Sequence, residues 1–241
     1  MSNVSIFGKD YNLSITTLDL SKKISKASDL ENLNNSLTKL TNLKILNLSK
    51  NQMSGEIMPV SLFDGLTTLE SLYLNNSNIT YLPKKIFASL SNLITLSIDN
   101  NNISNLLSGT FDPLTKLQTL TINNNSIKYY KNIPPTIFAN LTSLKSLNLS
   151  YNQISLLPSS LFSTLTNLHT LHLNNNFITK ETIPINIFSG LLNLKSLYLN
   201  NNIQLNSNDI RHDLFNGLTS LTNLYLDNDY KNKMNLFVAI T

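Results

Sequence analysis

The sequence predicts a curved α/β solenoid: a parallel sheet of about nine short strands on the concave side, with short helical or 3-10 segments on the convex side. Three observations predict it. An apolar triplet recurs with fixed internal spacing. A Phe stands at a fixed distance before it. Variation in unit length is confined to the segment between them.

The triplets begin at Ile15, Leu43, Leu69, Leu93, Leu117, Leu144, Leu168, Leu194 and Leu221, at steps of 24 to 28 residues. In LTKLQTLTINNNSI the triplet is Leu117, Leu120 and Ile122, followed by Asn125 and Ile127. Strand side chains alternate between faces, so Leu120 and Ile122 point the same way, into a core. Stacking the units places nine strands side by side. At ~4.8 Å per strand the stack is roughly 40 Å long before curvature. Six residues before each first Leu stands Phe63, Phe87, Phe111, Phe138, Phe162, Phe188 or Phe215, with Leu37 in the opening unit. These residues return from the outer segment into the same core.

The flanks follow in chain order. Residues 3–12 read as a hairpin with a turn near Gly8 and Lys9, covering the open edge of the first strand. Residues 15–229 are the repeats. Within the long first connection, Leu30, Leu33, Leu37 and Leu40 recur at helical spacing, and Ser28 with Glu31 fits a capping box. After each triplet an inward Asn is expected to bond the turn backbone, because it offers both donor and acceptor. Asn51, Asn101, Asn125, Asn152, Asn176 and Asn202 take this role, with Ser77, Asp229 and Lys23 as substitutes. Lys23 cannot be buried unpaired, so an irregular first turn is expected. Leu205 falls one place late after Asn202, which predicts a bulge. Residues 230–241 form a C-terminal cap or tail. The whole chain, 1–241, is read as one domain, with residues 1–14 as the N-terminal cap.

These units resemble leucine-rich repeats. LPKKIFASLSNLITLSIDNNNI, Leu82 to Ile103, resembles the "typical" subclass of about 24 residues. GTFDPLTKLQTLTINNNSI is similar to repeats of Toll-like receptors, small proteoglycans and variable lymphocyte receptors. NQMSGEIMPVSL, from Asn51, leans toward the plant-type pattern in one unit only. The resemblance implies a horseshoe with its ligand on the concave face. Those extracellular relatives carry Cys-stapled caps, and this chain has no Cys.

Composition narrows the function. Charged residues are 13% of the chain, and about forty Asn fill much of the gap. Net charge is +4, with lysines scattered, so no concentrated basic face for nucleic acid is evident. Without Cys there are no disulfides and no thiolate metal sites. The opening MSNVSIFGKDYN lacks the form of a signal peptide, and no apolar run reaches the length of a membrane span. An intracellular monomer is therefore expected, with an extracellular location as the alternative. Ten Asn-x-Ser/Thr sequons are what this composition produces by chance.

Catalytic motifs are missing: no Gly-rich phosphate loop, no nucleophile elbow, no His-Glu-x-x-His. No cofactor is expected. His169 and His172 share one strand and read as exposed polar residues rather than a metal pair. The functional question thus moves to the outward strand positions. Most are small and polar, but toward the C-terminal half aromatic and cationic residues gather, a composition enriched at binding hot spots. Tyr73, Tyr151, His169, His172, Lys195, Tyr198 and Tyr225 are the candidate ligand-binding residues. The expectation is a non-enzymatic scaffold binding a protein or peptide. The alternatives are an extracellular recognition or adhesion module for a surface protein or glycan, and the substrate-recognition part of a larger enzyme complex.

Overall fold

The computed structural model describes residues 3–53, 58–128, 133–202, 205 and 210–227. Nine strands of three residues each form one parallel sheet: β3 (Thr17–Asp19), β4 (Ile45–Asn47), β5 (Ser71–Tyr73), β6 (Thr95–Ser97), β7 (Thr119–Thr121), β8 (Ser146–Asn148), β9 (Thr170–His172), β10 (Ser196–Tyr198) and β11 (Asn223–Tyr225). Their spatial order is their chain order. Register never slips. The second Leu of each triplet pairs with its counterpart, from Leu18 with Leu46 to Leu197 with Leu224. This follows from the constant spacing inside the triplets, because a one-residue slip would turn every Leu to solvent. The strands are shorter than the apolar pattern. The third apolar residue lies past the strand end, although its N–H still bonds the next unit, as Leu48 does with Tyr73 O at 2.8 Å.

The outer segments are built from three-residue turns. Pro59 O accepts from Leu62 N, Phe63 O from Leu66 N, and Leu66 O from Leu69 N. One such segment, His212–Phe215, is a continuous 3-10 helix. These turns drop the Phe column into the core, where its members are 0–1% exposed. Phe63, Phe87, Phe111 and Phe138 stack in succession with centroids 6.0–6.3 Å apart, and Phe162, Phe188 and Phe215 continue at 6.5 Å.

The Asn column makes the expected bonds. The amide of Asn176 donates to Leu173 O in its own unit and to Leu149 O in the preceding one, both at 3.0 Å. Its Oδ1 accepts Ile154 N at 3.0 Å. One side chain thus serves three buried backbone groups across two units. Ser77 manages part of this, donating to Leu48 O at 3.1 Å.

A second Asn-rich column lies one residue earlier. Lys22, Lys50, Asn76, Asn100, Asn124, Tyr151, Asn175 and Asn201 have φ between 51° and 60°. A left-handed residue turns the chain off the sheet, and Asn tolerates that conformation best after Gly.

At the N-terminus, β1 (Asn3–Ile6) and β2 (Lys9–Asn12) pair as an antiparallel hairpin. It adds Val4 and Ile6 to the core but forms its own two-stranded sheet. The hairpin does not join the sheet of β3. Helix α1 (Ala27–Leu37) packs against β1.

Three expectations need correction. The helix is capped by Asp29, whose Oδ2 accepts Ser25 N at 2.9 Å and Lys26 N at 3.1 Å, not by Ser28 with Glu31. The first turn is regular. Lys22 holds the same left-handed φ as its counterparts, and Lys23 stays exposed while its N–H bonds Asn51 Oδ1 at 2.7 Å. Asn51 thus serves the first turn from the second unit, and the inward side chain is not needed there. Tyr151 belongs to the turn column, not to the sheet face. Asp229, the cap at 230–241, the Gly-containing part of NQMSGEIMPVSL and the link after Asn202 lie outside the described residues. Leu205 is fully buried.

Candidate functional site

The outward face of the sheet is set residue by residue by the strands. On β9, β10 and β11 the central outward position is His172, Tyr198 and Tyr225. Register places these three directly beside one another. The rings of His172 and Tyr198 are 4.1 Å apart at 11°, and those of Tyr198 and Tyr225 are 4.2 Å apart at 4°. These spacings are slightly below the ~4.8 Å between strands, so the rings stack along the solenoid axis. Each ring covers its neighbour's face, and the ladder offers its edges outward.

This packing changes the ring chemistry. Burial pushes the His172 imidazole below its ordinary pKa, and the Asn174 side chain beside it acts weakly the other way. Asn174 Oδ1 is buried and makes no full hydrogen bond. The Tyr198 phenol is pushed up, first by desolvation and then by the neighbouring Tyr225 hydroxyl. Both shifts favour the uncharged forms of His172 and Tyr198.

His169 and Lys195 stand at the entry end of β9 and β10, each immediately before the first residue of its strand. The Nδ1 of His169 bonds Asn167 O at 2.7 Å. A carbonyl can only accept, so Nδ1 carries the proton. Lys195 is exposed and extends from a fixed backbone, since Lys195 O accepts Thr222 N and Asn223 N, both at 2.9 Å.

Two candidates fall away from this group. Tyr73 is on β5, four strands from His172 and thus roughly 20 Å along the sheet, with Ser97, Thr121 and Asn148 between them. Tyr151 is 57% exposed at the turn. The sequence reading passed over Lys145, which stands in the same row as His169 and Lys195, immediately before β8. The only signal was its place after the first Leu of its unit.

The acids at the strand exits are engaged locally. Asp99 accepts from Ser97 Oγ at 2.5 Å and Thr121 Oγ1 at 3.0 Å. Asp227 accepts from Asn201 N and, at 3.0 Å, from Asn202 N. Among the described residues no three His, Asp or Glu side chains come together to hold a metal ion, and no helix is long and apolar enough to cross a membrane.

Comparison with known proteins fits this geometry. Models described as leucine rich repeat match residues 42–62, 67–127 and 129–178, together more than half of the chain. No curated protein matches. Among solved structures, the chain is similar to TLR13 in its complex with ssRNA13, with 34% identity and a TM-score of 0.69 over 79% of this chain and 26% of that one. It is also similar to a leucine-rich-repeat protein of Leptospira interrogans, with 29% identity and a TM-score of 0.69 over 87% of this chain and 48% of that one. Internalin C2 of Listeria monocytogenes shares the fold, at 22% identity and a TM-score of 0.67 over 92% of this chain and 88% of that one. The chain spans about a quarter of the TLR13 chain and about half of the Leptospira protein. The repeated triplets, the unbroken parallel register and the matching family models together establish that this chain belongs to the leucine-rich-repeat family.

Proposed function

We propose that the chain is a non-enzymatic scaffold that binds a protein or peptide through the outward face of its sheet. The observation that carries this reading is the His172–Tyr198–Tyr225 ladder. Three rings held 4.1–4.2 Å apart on an outward face are already ordered before a ligand arrives. A surface that loses little freedom on docking retains more of its contact energy as affinity. Tyr225 is 38% exposed despite the stacking, so the ladder keeps an accessible end. The members of the core columns are buried and serve the fold.

The test is affinity capture from lysate with the wild-type chain beside a Tyr198→Ala/Tyr225→Ala variant shown by circular dichroism to be folded. A partner captured by wild type and lost by the variant supports the reading. A partner kept by both moves the binding surface away from the ladder.

A further inference from the structure

The row at the strand entries changes character along the molecule. Near the N-terminus its cation is matched: Lys44 Nζ bonds Glu70 Oε1 at 2.9 Å, one strand away. Farther along, Lys145 before β8 and Lys195 before β10 are both exposed, and neither forms an ion pair among the described residues. Their backbones are fixed. Lys145 O accepts His169 N at 2.8 Å and Thr170 N at 3.1 Å. With β9 between them, the two α-carbons are roughly 10 Å apart. None of the outward positions of β8, β9 and β10 carries Asp or Glu. Directly beside the lysines runs a hydroxyl row, Ser146, Thr170 and Ser196, in register.

We propose that this half of the sheet face binds an acidic peptide segment, with its carboxylates drawn to Lys145 and Lys195 and bonded by the hydroxyl row. This rests on the reading above that the outward face is the binding face, and names the chemistry of its ligand. Two ammonium groups without an ion pair among the described residues, beside a row of neutral donors, favour negative charge. Carboxylate is favoured over nucleic acid for a geometric reason. Single-stranded nucleic acids are held by stacking bases on open aromatic faces. In the ladder the faces of Tyr198 are covered on both sides by His172 and Tyr225. That leaves the ring edges, which can bond a peptide, and only the outer faces of the two end rings, too few for a run of stacked bases. Two lysines are also few for the counterion release on which phosphate-backbone binding relies.

The test is fluorescence anisotropy with a labelled oligoglutamate peptide at low ionic strength. Its arms are the wild-type chain, Lys145→Gln/Lys195→Gln, and a Lys84→Gln/Lys85→Gln variant that makes the same change in net charge on the convex side. Oligoglutamine and oligouridylate are the competing probes. The expected result is saturable oligoglutamate binding, weakened roughly tenfold in Lys145→Gln/Lys195→Gln, kept in Lys84→Gln/Lys85→Gln and absent for oligoglutamine. Equal weakening in both variants, stronger binding of oligouridylate, or no oligoglutamate binding overturns the proposal. If oligoglutamate fails while a partner is still captured in a Tyr198- and Tyr225-dependent manner, this inference falls and the binding-scaffold reading stands.

Discussion

The carboxamide of Asn125 reaches back one unit and accepts the backbone N–H of Ile103 at 3.0 Å. Its Nδ2 also donates to Ile122 O at 3.0 Å and to Ile98 O at 3.1 Å. Asn124, one residue earlier, supplies a left-handed φ of 52° and stays exposed. The two neighbours therefore fail differently. Asn125→Ala leaves several buried backbone groups unserved, at about 1–3 kcal/mol each. Asn124→Ala costs about 1 kcal/mol of backbone strain, and Asn124→Gly is close to neutral. Urea unfolding of the three variants checks this; equal losses for both Ala variants would reject the two-column account.

Phe111 stacks between Phe87 at 6.0 Å and Phe138 at 6.2 Å and is fully buried. Phe111→Ala removes a ring that two adjacent units share. The expected loss is about 3–5 kcal/mol in chemical denaturation, and a loss below ~1 kcal/mol would contradict the burial.

Tyr151 holds φ at 51° with a bulky side chain, where its counterparts Asn124 and Asn175 hold the same conformation with Asn. Its N–H still bonds Asn174 O at 3.0 Å, so the turn itself is intact. Tyr151→Asn is expected to stabilise the chain by about 1 kcal/mol by relieving that strain. A fall in melting temperature would show that the exposed ring makes a compensating contact.

His172 is held below its ordinary pKa because the fold buries the ring and favours its neutral form. Between the unfolded and the folded value, the unfolded chain binds more protons, so stability rises with pH there. The stabilisation is whole above the unfolded value of about 6.5 and declines as pH falls through and below it. His172→Gln should flatten this part of the stability–pH curve. Denaturation midpoints for both chains across the acid range measure it, and parallel curves would assign the acid sensitivity elsewhere.

How much of this was legible in sequence depends on what each residue's position encodes. Leu120 and Ile122 announce their direction because strand alternation leaves no other way to bury both. Phe111 announces its burial by keeping six residues from Leu117 in a chain whose other spacings vary. The left-handed column was harder to read. Pairs such as Asn100–Asn101 and Asn124–Asn125 carry two different requirements in adjacent letters, and only the inward one was read. Tyr151 looked like a surface aromatic because nothing local marks a residue forced into that conformation. Asp29 was missed as a cap because the carboxylate sits inside the helix it caps. Lys145 became visible only through register. It is 50 residues from Lys195 in the chain and two strands from it in the sheet.

That unbroken register makes the outward surface a ruler graduated in repeats. The matched pair Lys44–Glu70 and the unmatched Lys145 and Lys195 are separated by a whole number of strands. An in-frame gain or loss of one 24-residue unit between them would move the two ends apart or together by one strand spacing. Every core column would find a counterpart, and no surface residue would change sides. Distance along the outward face is therefore a heritable quantity that tandem duplication can alter in equal steps, independently of which side chains stand on it.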